Sequence, residues 1–295
     1  MYLTYYGLIR SPFEMTPDPA FLYLGEAHRE GLATLVYGVR SRKGFVLLTG
    51  EVGTGKTTLL HALLSQLDAG TASAFLFNPR LEPLDFFRML FDEYGIDEVC
   101  RTKADYLLAL NRFLIARLER NQPTVLIVDE AQNLSTEMLE EVRLLSNLET
   151  PTSKLIQILL VGQPELLTLL AKPELRQLRQ RIVLRHHLRP FDEAETISYV
   201  EERLRLAGYT GKGLFEKKAL VELHQQSGGI PRLLNVMCDG ALLLGYAREL
   251  ETLPRDVVRE VARDLAIEPP AEAVSSSAGA APTRTRRGLF GFFRP

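Results

Sequence analysis

Eight consecutive residues, Gly50-Glu51-Val52-Gly53-Thr54-Gly55-Lys56-Thr57, fit the pattern G-x-x-x-x-G-K-[ST]. Glycines let a backbone curl around anionic oxygens and turn its N–H groups inward. Lys56 supplies a cation with the reach of the β and γ phosphates of ATP, and the Thr57 hydroxyl supplies a ligand for Mg²⁺. The run from Gly50 to Thr58 is therefore the expected phosphate-binding loop. It needs an apolar strand before it and a helix directly after it, whose N-terminus adds free N–H groups and partial positive charge. Phe45–Thr49 reads as that strand and Lys56–Leu67 as that helix.

A second constellation lies about 70 residues on. Val125-Leu126-Ile127-Val128 is an apolar strand that ends in Asp129 and Glu130. Asp129 would hold Mg²⁺ through its water shell. Glu130 would orient and deprotonate an attacking water.

Four further positions could complete the site. Gln163 follows the strand LLVG, and ligands of a parallel sheet gather at the carboxyl ends of its strands. It reads as a contact to the lytic water or γ-phosphate, or as a plain loop amide. Asn78 ends another strand and either hydrogen-bonds Glu130 or caps the turn before Pro79. Arg176, Arg179 and Arg181 precede the last strand. They form either a solvated basic face or an arginine finger given to a neighbouring subunit's ATP, with Arg181 the first choice. Arg232 follows Gly228-Gly229-Ile230-Pro231, in the first turn of a helix, where the dipole disfavours a cation unless an anion faces it.

These residues must be positioned by a larger frame. Apolar runs at 45–49, 74–77, 124–128, 156–161 and 182–187 alternate with amphipathic helical segments. Near-continuous apolar strands separated by helices imply parallel strands covered on both faces. The expected fold class is α/β: a parallel five-stranded sheet between helices over residues 31–190. After residue 190 the strands stop, and four helical segments form a small all-helical lid over 191–266. Residues 1–30, rich in Pro and aromatics, read as an irregular strap. Residues 267–295 read as a flexible linker ending in the basic-aromatic tail RTRRGLFGFFRP.

Composition narrows the function further. The chain has 295 residues, 46% of them hydrophobic, and a formal net charge of -2. No global basic field exists to drive nonspecific nucleic-acid binding. Cys100 and Cys238 are far apart, and the five histidines show no ligand spacing, so no metal beyond nucleotide-borne Mg²⁺ is expected. No apolar stretch is long enough for a signal peptide or a membrane span, so a cytoplasmic location is expected.

Together these residues resemble the AAA+ ATPases, and more narrowly the ExeA (general secretion pathway protein A) family. The narrower resemblance rests on Tyr6-Gly7-Leu8, Pro12-Phe13, Pro17-Asp18-Pro19, Phe21 and His28, with VDEAQNL, LVGQPEL, LRQLRQRI and GGIPRLLN. It places Gln163 at sensor 1, Asn78 at the glutamate switch and Arg232 at sensor 2, with Tyr6 to Pro12 near the adenine. It implies a homo-oligomer, a ring being one form of it, that serves assembly of cell-envelope systems such as secretion, pili or exopolysaccharide export. Related ATPases drive DNA transposition; the alternative expectations are a DNA-associated ATPase of that kind and a nucleotide-gated scaffold with little turnover. Secretion-type members continue into a membrane span and a peptidoglycan-binding domain. Here the linker leads to the short tail, which is expected to contact a membrane surface, to dock on a partner, or to be a disordered end.

Overall fold

The computed structural model describes residues 1–15, 21–76 and 82–267. Its elements run α1 (Tyr2–Tyr5), α2 (Glu26–Arg40), β1 (Phe45–Gly50), α3 (Lys56–Gln66), β2 (Ala72–Leu76), α4 (Pro83–Tyr94), α5 (Lys103–Glu119) and β3 (Thr124–Val128). There follow α6 (Thr136–Leu145), β4 (Gln157–Gly162), α7 (Glu165–Leu170), α8 (Arg176–Arg181) and β5 (Ile182–Leu188). The remainder is helical: α9 (Glu193–Leu206), α10 (Lys217–Ser227), α11 (Pro231–Ala247) and α12 (Arg255–Asp264).

The five strands form one sheet in the order β2-β3-β4-β1-β5, with every pairing parallel. Strands β1, β3 and β4 are buried at every residue, as strands covered on both faces must be. Side chains of a strand alternate between faces, so each strand feeds two cores. Phe45, Leu47, Leu126, Val128, Ile158 and Leu160 pack with α4, α5 and α6, where Phe86, Phe87, Leu110 and Leu139 are fully buried. Val46, Leu48, Val125, Ile127, Leu159 and Val161 pack with α2 and α3. Each such side chain contributes about 1.5–3 kcal/mol when buried. The two cores fix the strand ends, where the polar residues stand.

The last four helices share a third core with the N-terminal segment: Tyr6, Leu8, Phe13 and Phe21 join Phe191, Tyr199, Leu220, Leu234 and Val258. Glu222 is the charged anchor of this unit. Almost wholly buried, it accepts from Gln226, Arg255 and Arg259 and so ties α10 to α12.

Two segments depart from the sequence expectation. Residues 2–5 form a helical turn rather than irregular strap, and Tyr2 donates to Asp239 on α11. Tyr6 to Pro12 lie on the lid: Tyr6 donates to the Leu250 carbonyl, Ile9 N–H to the Ala207 carbonyl, and Arg10 to the Leu206 carbonyl. Aromatic and apolar side chains there bury more surface against helices than an open cleft would offer. Among the described residues of the strap, those that line the cleft come from the following stretch, Glu14, Met15 and Phe21 to Leu24. No helix among the described residues is long and apolar enough to cross a membrane.

Candidate nucleotide site

The turn after β1 passes into α3 through Gly55, which caps the helix at φ +97°, a conformation an L side chain rarely adopts. The first-turn N–H groups of α3 have no intrahelical partners, so they point outward as donors. Lys56 begins that helix. Its ammonium is buried and donates to the carbonyls of Gly50 (2.8 Å) and Glu51 (3.0 Å). Burial pushes the Lys56 pKa down, and the nearby Glu130 and Asp129 carboxylates oppose that shift.

Strand β3 delivers the two acids beside this loop. The Thr57 hydroxyl donates to Asp129 Oδ2 at 3.2 Å, and the Glu130 N–H donates to Asp129 Oδ1 at 2.9 Å. Burial raises the Asp129 pKa, while those two donors hold it down. A hydroxyl and a carboxylate side by side are hard oxygen donors. They fit a Mg²⁺ that takes its other ligands from water and phosphate. Glu130 turns back at φ +51°, and its carboxylate Oε2 accepts from Gln163 Nε2 at 3.0 Å, across from β3 to the end of β4.

The lid closes the other side. Arg232 N–H donates to the Gly53 carbonyl at 3.2 Å, so the start of α11 sits on the phosphate loop. A Cβ on Gly53 would lie 2.7 Å from Arg232 Cβ, which leaves room there for glycine alone. Between loop, strap and lid runs a cleft of about 410 Å³. Its lining joins Lys56, Thr57, Glu130 and Arg232 to an aromatic wall of Tyr23, His28, Phe191 and Tyr199. These rings meet one another at 5.0 to 5.7 Å, a surface suited to a flat base. Burial lowers the His28 pKa, and its Nε2 lies 2.9 Å from the Thr54 carbonyl. A neutral ring therefore donates there and stiffens the loop.

Lys56, Thr57, Asp129, Glu130, Gln163 and Arg232 thus converge, with Gly50 to Thr58 forming the loop. Arg181 does not join them. It donates to the Ser146 hydroxyl at the end of α6, and Arg179 donates to the Ala171 carbonyl. Asn78 lies outside the described residues, as do Pro17, Asp18, Pro19 and the tail. Sequence reasoning missed the roles of Phe191, Tyr199 and Arg203 in the cleft. Arg203 is buried beneath the strap, 4.7 Å from the Phe21 ring centre, and donates to Tyr199 Oη at 2.9 Å. For the two aromatics a signal was there: Phe191 and Tyr199 stand on either side of the Asp192–Glu195 capping box that starts α9.

Comparison with known proteins agrees with this geometry. A family model described as an AAA domain matches residues 39–170. General secretion pathway protein A of Aeromonas hydrophila is 46% identical over 249 residues, which are 84% of this chain and 45% of that protein. The type II secretion system protein HxcR of Pseudomonas aeruginosa is 32% identical over 108 residues, 36% of this chain and 20% of that one. The chain thus spans less than half the length of these curated relatives. Among solved structures, the Aeropyrum pernix ORC2 protein in its ADPNP–ADP complexes superposes with a TM-score of 0.62 at 19% identity. That likeness covers 86% of this chain and 71% of ORC2 and shows a shared fold. Strand order, phosphate loop and sequence identity converge: the chain carries an AAA domain fold and is similar over 84% of its length to general secretion pathway protein A.

Proposed function

We propose that this protein binds ATP with Mg²⁺ and hydrolyses it, as an oligomer that serves assembly of a cell-envelope system. One observation carries the reading: the Thr57 hydroxyl, the Asp129 carboxylate and the Glu130 carboxylate stand together beside Lys56 at the carboxyl edge of a parallel sheet. In this reading the α3 N–H groups and Lys56 grip the β and γ phosphates, exchanging the lysine's carbonyl contacts for charged oxygens. Mg²⁺, held through Thr57 and Asp129, would neutralise developing charge on the phosphates. Glu130 takes the proton of the attacking water, Gln163 sets the water's position, and Arg232 faces the γ-phosphate from the lid. The aromatic wall holds the base. The envelope role is carried over from the secretion names of the relatives.

Arg181 enters this reading only across a subunit boundary, since within its own chain it points to Ser146. Specific ATPase activity is expected to rise with protein concentration as subunits associate. Arg181→Ala should remove that rise, because an arginine finger contributes on the order of 10³–10⁵ in rate where it operates. Sedimentation paired with a turnover assay checks this. A flat activity curve across a measured monomer-to-oligomer transition takes the finger role away from Arg181.

A further inference from the structure

The side-chain amide of Gln132 makes an arrangement that the catalytic reading has left unused. Gln132 sits in a 3-10 turn, Ala131–Asn133, that follows Glu130. Its Nε2 donates to Glu130 Oε2 at 2.5 Å, the same oxygen that accepts from Gln163 Nε2. Its Oε1 accepts the backbone N–H of Gln163 at 3.0 Å. One planar amide therefore spans the ends of β3 and β4 and fixes a carboxylate to both. The close packing at the end of β4 reinforces it: a Cβ built on Gly162 would lie 2.5 Å from Gln132 Oε1. Glycine at that position leaves the space the amide occupies.

We infer that Gln132 is the positioning residue of the hydrolytic centre, holding one oxygen of Glu130 so that the other faces the attacking water. This rests on the reading of Glu130 as general base. Two N–H donors on Oε2 fix the plane of the carboxylate, and Oε1 is the oxygen left to receive a proton. Without Gln132, Gln163 alone anchors Oε2, and the carboxylate rotates about its terminal bond. Reacting groups lose rate steeply when their alignment is lost, even where binding is intact. Gln132 contacts neither phosphate loop nor lid in the hydrogen bonds it makes, so its loss leaves nucleotide affinity alone.

The test pairs steady-state ATPase kinetics with calorimetric ATP binding on Gln132→Met, Gln132→Glu and Gly162→Ala. Gln132→Met keeps length and removes both bonds. Gln132→Glu keeps the acceptor for the Gln163 N–H but sets a second carboxylate against Glu130. Gly162→Ala displaces the amide without altering Gln132, and it keeps the question answerable if a Gln132 variant misfolds. Each is expected to lower kcat about tenfold or more with ATP affinity kept, the signature of lost alignment rather than lost binding. Gln132→Met added to Glu130→Gln should cost nothing further, because both act through one carboxylate. Wild-type kcat in Gln132→Met, in Gln132→Glu or, where these misfold, in Gly162→Ala, an equal loss of affinity and kcat, or additive losses in the double variant each overturn the inference. Wild-type turnover by Glu130→Gln alone overturns the base reading and this inference with it. Wild-type turnover by Gln132→Met beside an impaired Glu130→Gln overturns the inference alone.

Discussion

Glu130→Gln is expected to bind ATP as the native protein does and to turn it over at least about tenfold more slowly, since a positioned general base contributes on the order of 10²–10⁴ in rate. The substitution keeps the shape of the side chain. Its amide oxygen can still accept from Gln163 and Gln132, the two donors that hold the native carboxylate. It removes the charge and with it the ability to take a proton from water. Lys56, Thr57 and Asp129 keep their own contacts, so the phosphate grip should survive. A coupled phosphate-release assay beside a binding titration reads the two effects separately. Turnover at the native rate would take Glu130 out of its assigned role.

Gly229→Ala is expected to cost about 3 kcal/mol of stability or more, a size reserved for backbone conflicts and buried clashes. Gly229 adopts φ +71°, and a Cβ there would lie 1.9 Å from the Phe191 carbonyl oxygen. That atom is main chain and cannot swing aside. The same two residues are joined by the Phe191 N–H donating to the Gly229 carbonyl at 2.9 Å. The clash would thus push α11, with Arg232, off the loop at Gly53 and open the aromatic wall at Phe191. For a chain of this size the melting temperature should fall by roughly 5 °C. Gly95→Ala is the control: φ is +65° but nothing lies within 4 Å of the new Cβ, so the loss should be about 1 kcal/mol. Equal melting shifts for the two variants would show that the Phe191 contact does not bind the lid to the loop.

The sheet and the polar residues at its edge were legible in the sequence because each depends on short-range signals. The apolar run Thr124–Val128 begins and ends in the structure where the pattern put it, and helix α3 starts at Lys56 as expected. Pro83 and Pro231 mark helix starts by lacking an N–H that the first turn does not use. Helix α5 starts at Lys103, ahead of its first buried residue, Tyr106. There Thr102 and Asp105 form a capping box that apolar periodicity does not register. Gly50 to Thr57 and Asp129-Glu130 announced themselves by residue type and spacing.

What stayed hidden was set by distant pairs. Gln132 is an ordinary polar residue until β3 and β4 pair and bring Gln163 beside it. Tyr6 to Pro12 carried a family expectation of base contact, yet the lid helices, which come about 200 residues later, claim that segment. Arg203 gave no sequence signal because its partners, Tyr199 and the Pro12 carbonyl, join only when strap and lid fold together.

The most direct measurement is calorimetric titration of the purified protein with ATP, with and without Mg²⁺, alongside Lys56→Ala. Binding should be seen with the native chain and be strengthened by Mg²⁺, and Lys56→Ala should weaken it about tenfold to a hundredfold, as loss of one or two charge-assisted hydrogen bonds requires. At a hundred times Kd the native protein should also gain about 2.7 kcal/mol against unfolding. Absence of heat and of any melting shift at millimolar ATP and Mg²⁺ would contradict a phosphate site built on Lys56, Thr57 and Asp129.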